Sequence, residues 1–378
     1  MVLNNSTLPS GFNHRFGYWL VDGQPIFTRM EATLLASEKK TRDVRFYFND
    51  EVFGAIDWRV PIESSVNDLY IQRAKQLRSK YDHLALFYSG GSDSSEALKV
   101  FLNNDIKLDE VVYYLYDTVD KNTNLGNLEV LHAGKLMLER VRQSGIKVSE
   151  IDVLSSTKPF ENSKRFTGIN WLLEAGPTLS LIDLPNLDTW NSRPEWLQLL
   201  NSGKTVGFIF GLEKPRIFYD PDTDGWFGTF IDTIHGYNTR RTHEGKDNAH
   251  MEPFYMTPDL PLLTIKQSQV IKDYINLTYT REEKIQLFRI ENQNRDLYFK
   301  ICRNLLYPHW DDRTFTVGKG HILFNKKTKC LHSPNEYFYS EFVSSLRKIE
   351  SNIDPYFFKD KRTIMEGLEG IISNRYKI

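Results

Sequence analysis

The chain has 378 residues and near-balanced charge, 48 Lys and Arg against 49 Asp and Glu, which excludes a global field steering it toward nucleic acid but not a local basic patch. Its length allows two domains or one large core with additions, and 13% aromatic residues argue for a packed globular protein over a disordered one. The cysteines, Cys302 and Cys330, form no CxxC pair, which excludes a Cys-only zinc or iron–sulfur site and argues against a disulfide-held secreted protein.

The start of the chain, Met1 to Ser10, lacks the apolar core of a signal peptide, and no run approaches the roughly 18 apolar residues of a membrane span. A soluble, cytoplasmic protein with no membrane partner is therefore expected. Phe16 to Val21 reads as a strand, Asp22-Gly23 as a hairpin turn, and Pro25 to Phe27 as the returning strand. Thr28 and Glu31 have the spacing of a capping box for a helix running to about Glu38. Val44 to Phe48 alternates like a strand, with Asn49-Asp50 as a turn and Val52 to Trp58 returning. Residues 63–80 form an amphipathic helix with Leu69, Ile71, Ala74 and Leu77 inward and Arg73, Lys75 and Arg78 outward.

Strands and helices then alternate. Strands are predicted at 83–88, 110–116, 149–154 and 205–210, with helices at about 93–103 and 126–144 and a helix-rich insertion at 157–202 broken by Pro177, Pro185 and Pro194. This order implies a parallel sheet covered on both faces. Right-handed crossovers place the loops after the strands on one edge. Beyond 215 come a turn cluster at 218–225, a short strand at 228–232 and a polar, turn-like stretch at 238–252. Helices follow at about 262–276, 281–289, 293–305, 336–350 and 360–373.

The first alternating strand runs directly into Ser89-Gly90-Gly91-Ser92-Asp93-Ser94, which runs directly into a helix. A strand, a small-residue loop and a helix start present unpaired backbone N–H groups to a phosphate. Two glycines allow the close approach, Ser89, Ser92 and Ser94 supply hydroxyls, and Asp93 supplies a carboxylate for hydrated Mg2+. No Lys-Ser/Thr follows a second glycine at Walker A spacing. The hexapeptide resembles the PP-loop, SGGxDS, of the ATP pyrophosphatases, a family that includes asparagine synthetase, GMP synthetase and tRNA sulfurtransferases. The resemblance is firm over 83–102 and extends at fold level to about 80–215. It implies ATP and Mg2+ as cofactors, cleavage between the α- and β-phosphates, pyrophosphate held in the loop and AMP passed to a substrate.

Other candidates lie at the same predicted sheet edge. Asp117, where the second strand ends, can accept from the adenine amino group or a ribose hydroxyl, or simply cap the strand. Gly211-Leu212-Glu213-Lys214-Pro215-Arg216 follows the fourth strand, where Lys214 and Arg216 would offset the charge building on a pyrophosphate leaving group. Glu213 can share Mg2+ with Asp93 or hold a substrate amine; the alternative is a surface turn. His235 to His243 is a basic loop that can close over an acidic substrate or remain in solvent, and His235, His243 and His250 match no zinc spacing. Pro253-Phe254 through Asp259 is similar in part to the Pro-Phe-Leu-Asp segment of asparagine-synthetase-like enzymes, although packing of Phe254 and Tyr255 is the simpler account. The GxGSDE-like segment usual in the asparagine-synthetase branch after the fourth strand is absent, which argues against aspartate as the substrate.

The expected fold is α/β: a doubly wound parallel sheet of HUP/PP-loop type at 63–215, a small N-terminal α+β element at 1–62 and a mostly helical region at 216–378. The expected activity is ATP-dependent adenylation of a carboxyl or carbonyl oxygen, followed by attack of a nitrogen nucleophile. Asp93, Lys214 and Arg216 would be catalytic, with Ser89 to Ser94 and Asp117 on the nucleotide and Asp93 and Glu213 on the metal. No Cys follows Met1, so a separate nitrogen donor is expected. The acceptor, a small molecule or a nucleic-acid base, stays open. Two alternatives share the loop: a sulfurtransferase or sulfonucleotide reductase, and a non-catalytic ATP-binding module.

Overall fold

The computed structural model describes residues 14–27, 29–115, 129–152, 193–211, 214–232, 248–288, 295–308, 310 and 373–378. Strands β1 (Tyr18–Val21) and β2 (Gln24–Ile26) form the predicted hairpin. Asp22 and Gly23 turn it at φ 47° and 75°, the left-handed pair that a two-residue hairpin turn favours. Helix α1 (Arg29–Glu38) follows; its predicted cap, Thr28, lies outside the described residues. Strand β3 (Val44–Tyr47) pairs antiparallel with β1, completing a three-stranded sheet.

No strand returns at 52–58. Asn49 takes a left-handed φ of 50°, which breaks the extended chain, and the short helix α2 (Asp50–Phe53) follows it. Phe53 and Trp58 then turn into the core. Burial, not pairing with β3, decides this segment.

Helix α3 (Val66–Lys80) begins at a capping box that the sequence reading passed over: Ser65 Oγ accepts from the Asp68 amide at 3.1 Å, and Asp68 accepts from the Ser65 amide at 3.3 Å. Strand β4 (His83–Phe87), helix α4 (Ser92–Asn103) and strand β5 (Glu110–Leu115) then alternate as predicted. The next helix is interrupted. A π-helical turn at Glu129–Ala133 meets Gly134, and α5 (Lys135–Gln143) continues to β6 (Lys147–Asp152). Pro194 starts α6 (Pro194–Asn201) instead of breaking a helix, because the first turn needs no N–H from it. Strand β7 (Val206–Phe210) comes next.

Past 215 the described residues include strands that the sequence pattern did not place. Strands β8 (Arg216–Asp220) and β9 (Gly225–Thr229) form an antiparallel hairpin, so residues 218–220 of the predicted turn are extended. Strand β10 (Ala249–Pro253) lies within the stretch read as polar turns, and it pairs parallel with β7. Helices α7 (Pro261–Thr278), α8 (Arg281–Phe288) and α9 (Arg295–Leu306) match the predicted ones closely. Strand β11 (Tyr376–Lys377) adds to β9, while the helices predicted at 336–350 and 360–373 lie outside the described residues.

The fold is α/β, as expected. Its central sheet is parallel, with order β10-β7-β4-β5-β6. Alternate residues serve opposite faces. Leu84, Leu86, Val111 and Ile209 join a core with Leu77, Ala97, Phe101 and Val141 of the helices on one side. Ala85, Phe87, Val112 and Phe208 pack with Trp196 and Leu200 on the other. The carboxyl end of β4, central in this sheet, is where the loop at 89–94 emerges.

Arg73, predicted to face solvent, is wholly buried. Its guanidinium donates to Glu252 of β10 at 2.7 Å and to the Pro253 carbonyl at 3.0 Å, tying α3 to the edge strand. Lys80 at 2.8 Å, Arg15 at 3.2 Å and the Tyr81 hydroxyl also reach the Glu252 carboxylate, which has no exposure. Burial alone would raise this carboxyl; Arg73, Arg15 and the hydrogen bonds from Lys80 and Tyr81 outweigh it and leave the pKa at about 2. Breaking one partner of a buried pair strands the other charge, so Arg73→Met is expected to destabilise the fold by about 3–5 kcal/mol in urea unfolding. An unchanged midpoint and slope would show that the remaining cations suffice.

Candidate functional site

The loop after β4 is shaped by what it must pass. Gly90 sits at φ +77°, and a Cβ there would lie 2.5 Å from the Glu129 carbonyl oxygen. Only glycine meets both conditions. Gly91 is the extended N-cap of α4, and no side chain caps that helix. The first turn, Ser92 to Ser94, thus starts without a side-chain cap, an arrangement whose amides receive an anion. Gly211, just past β7, closes on the same amides: a Cβ on it would lie 2.7 Å from the Ser94 nitrogen.

The serines do not all face a ligand. Ser94 Oγ accepts from the Ser89 amide at 3.2 Å, donates to the Gly91 carbonyl at 3.2 Å and lies 3.1 Å from Ser89 Oγ. Ser89 Oγ also accepts from the Gly91 amide at 3.3 Å. These two hydroxyls brace the loop against itself. Ser92, half-buried, keeps its hydroxyl 3.5 Å from Asp93 Oδ1.

Asp93 is the junction of the site. Lys214, carried just after β7 and 121 residues away in sequence, forms an ion pair with its Oδ1. Tyr307, at the end of α9, donates to the same oxygen at 2.6 Å. Tyr255, just after β10, donates to the Asp93 main-chain carbonyl at 2.7 Å. The pairing with Lys214 has an electrostatic consequence. A lone carboxylate in the first turn would repel a phosphate, whereas the paired lysine cancels that charge.

Lys214 is nearly buried, its ammonium 5.4 Å from the Tyr307 ring centre and 5.7 Å from that of Phe299. Arg216 opens β8 with its guanidinium 4.4 Å from the Phe299 ring centre. The structure therefore brings Asp93 and Lys214 into contact, and places Arg216 beside the same aromatic ring as Lys214. Asp117, Glu213, His235 and His243 lie outside the described residues. Among the described residues no group of three or more His, Cys, Asp or Glu could hold a metal ion.

Sequence reasoning missed the tyrosines. Tyr307 follows a predicted helix and carries no local signal; Tyr255 falls in the segment attributed to packing. It also missed Glu96, one turn past Asp93 on α4. Glu96 is 2% exposed and its Oε2 has no hydrogen-bond partner. Burial raises its pKa to about 7 against the opposing charge of Lys99.

No family model matches the chain, and no curated protein matches it. Among solved structures, an NMN synthetase from Francisella tularensis aligns at 10% identity and TM-score 0.33, covering 64% of this chain and 87% of its own. An NH3-dependent NAD synthetase from Campylobacter jejuni subsp. jejuni NCTC 11168, in complex with the nitrate ion, aligns at 12% identity and TM-score 0.30, covering 68% of this chain and 98% of its own. At that level of superposition neither bears on the chemistry, which rests on the chain's own residues.

Two outcomes are expected. Because the native state holds the Glu96 proton more tightly than the unfolded chain, stability should fall as pH rises from about 4.5 to about 7. Glu96→Gln should remove that slope and stabilise the protein at pH 8 by up to about 3 kcal/mol, read from urea midpoints across pH. Gly90→Ala should cost about 1–3 kcal/mol through its backbone conformation alone, with more from the collision at Glu129.

Proposed function

We propose that this chain is a PP-loop ATP pyrophosphatase, an adenylating ligase of amidotransferase-like type. The observation that carries the reading is the meeting of Asp93 and Lys214 at an uncapped helix N-terminus after the central strand of a parallel sheet. The hexapeptide Ser89 to Ser94 supplies the family resemblance, and the nucleotide-binding unit is residues 63–215 extended by β10.

The first-turn amides of α4 would take the pyrophosphate end of ATP, with Lys214 adding positive charge. Mg2+ would arrive with the nucleotide, because it is commonly held by one or two carboxylates together with substrate phosphates. Asp93, its side chain 27% exposed, suits that role, with Glu213 as the second candidate ligand. Bound there, the ion would offset phosphate charge. In the reaction, a carboxylate or carbonyl oxygen of the acceptor attacks the α-phosphorus. The bond from that phosphorus to the bridging oxygen breaks, and pyrophosphate leaves with the electron pair. A nitrogen nucleophile then attacks the activated carbon, and AMP departs.

Lys214 meets the charge that develops on the leaving oxygen, and Arg216 extends the positive rim. Positioning and charge neutralisation carry most of the rate in such transfers. Asp117 is assigned to adenine or ribose. The branch is asparagine-synthetase-like, acting on a small molecule or a nucleic-acid base with a separate nitrogen donor. A sulfur-transfer route through Cys302 is disfavoured, because this thiol is fully buried and its pKa is pushed up to about 12, chiefly by burial.

Asp93→Asn is expected to abolish release of AMP and pyrophosphate from ATP, in the presence of metabolite pools, while the circular dichroism spectrum stays native. Lys214→Met should slow the same release by about 100-fold or more, the scale for losing one preorganised charge donor. Retained pyrophosphate release in Asp93→Asn would reject the reading; ATP binding without turnover in wild type would favour a nucleotide-sensing module.

A further inference from the structure

We propose that Tyr307 is a positioning residue that holds the Asp93 carboxylate for a nucleotide-borne Mg2+, so that the end of α9 forms part of the nucleotide site. This rests on the reading above and deepens it.

Among the donors to Oδ1 of Asp93, Lys214 and Tyr307 differ in character. Lys214 ends in a flexible stem with a full charge, and a polyphosphate would compete for it. Tyr307 is neutral and fixed. Its residue is 1% exposed, its ring centre lies 5.6 Å from that of Tyr255, and its amide donates to the Arg303 carbonyl at 2.9 Å. The preceding carbonyl, of Leu306, accepts from Tyr70 Oη of α3 at 3.2 Å, and Tyr70 Oη in turn accepts from Gln267 of α7 at 2.8 Å. Three helices thus fix the position from which Tyr307 donates.

A packing role alone would be met by phenylalanine. The hydroxyl reaches the one carboxylate in the first turn of α4 instead. When a nucleotide draws Lys214 toward its phosphates, Tyr307 keeps its hold on Oδ1 and with it the direction in which the carboxylate faces. Tyr255 acts on the same residue through the main chain, since it reaches the carbonyl and not the carboxylate. Because the two side chains also touch, Tyr255 reaches the carboxylate only through Tyr307.

The test uses the full chain and calorimetric titration of ATP at a series of Mg2+ concentrations and in EDTA. Tyr307→Phe should raise the Mg2+ concentration at half-maximal enhancement of ATP binding by about tenfold, the lower end for loss of a group orienting a metal ligand. Metal-free ATP binding should be unchanged. Tyr255→Phe should lower the thermal midpoint and shift the Mg2+ dependence less than Tyr307→Phe does. An unshifted Mg2+ dependence in Tyr307→Phe, or an equal weakening of metal-free and Mg2+-supported binding, overturns the proposal. Should Tyr307→Phe melt below the assay temperature, Tyr307→Ser with an added phenol is read in its place. Restoration of the wild-type Mg2+ dependence by phenol but not by benzene supports the role, and equal restoration by both, or by neither, overturns it. Wild-type protein that binds no ATP under either condition removes the nucleotide reading and this proposal together. Wild-type binding with an unshifted variant removes this proposal alone.

Discussion

Asp93 is where the chain's distant parts meet. Its carboxylate accepts from Lys214 and Tyr307, and its carbonyl accepts from Tyr255. The three donors stand after β7, at the end of α9 and after β10, so elements from across the sequence converge on the first turn of α4. The convergence answers an electrostatic problem. A helix N-terminus attracts anions, and an acidic residue in its first turn competes for that attraction. With Lys214 paired to it, the acidic residue no longer opposes a phosphate. The arrangement is possible because Gly90 and Gly211 lack side chains where neighbouring backbone comes close.

The sheet that carries this site is anchored by buried charge away from it. Glu252 on β10 gathers Arg73, Lys80 and Arg15 and joins helix α3 to the edge strand. Glu110, at the start of β5, is also wholly buried; it accepts from Trp196 at 2.8 Å and faces His83 at 3.3 Å. Each carboxylate is surrounded by donors, and each is held at a pKa of about 2 despite burial that would raise it. Such pairs contribute little net stability against apolar replacements, yet they penalise any packing that leaves a charge alone. Glu96 is the contrasting case. Its Oε2 has no hydrogen-bond partner, and the carboxyl is held near neutrality by desolvation. It lies one turn beyond Asp93, so the same helix carries a paired carboxylate at its mouth and a poorly solvated one behind it.

Much of the architecture was legible in the sequence because it follows from local pattern. The apolar runs at 83–87 and 206–210 are buried on both faces, as parallel strands require, and their hydrophobicity announces this. The Asp22-Gly23 turn and the helices of the 261–306 region were readable for similar reasons of turn chemistry and period. Val52 to Trp58 was misread because an apolar run without strict alternation suits either a strand or a turn pressed into a core. Arg73 was misread because a cation on a polar-looking helix face is normally solvated, and its carboxylate partner lies 179 residues away. Strand β10 was overlooked because Ala249 to Pro253 includes a histidine and a glutamate, and the burial of Glu252 depends on partners in α3 and the N-terminal segment.

The sequence by itself determined the strand–loop–helix at 83–103, because its small residues and apolar flanks admit few other local structures. It also determined that Asp93 and Lys214 belong near the same sheet edge, through the alternation of strands and helices. Only the tertiary structure decided that they touch, and that two tyrosines from beyond residue 250 close on Asp93. The reason is physical: local geometry depends on neighbours in the chain, whereas a contact between residues 121 or more positions apart depends on how every intervening element packs.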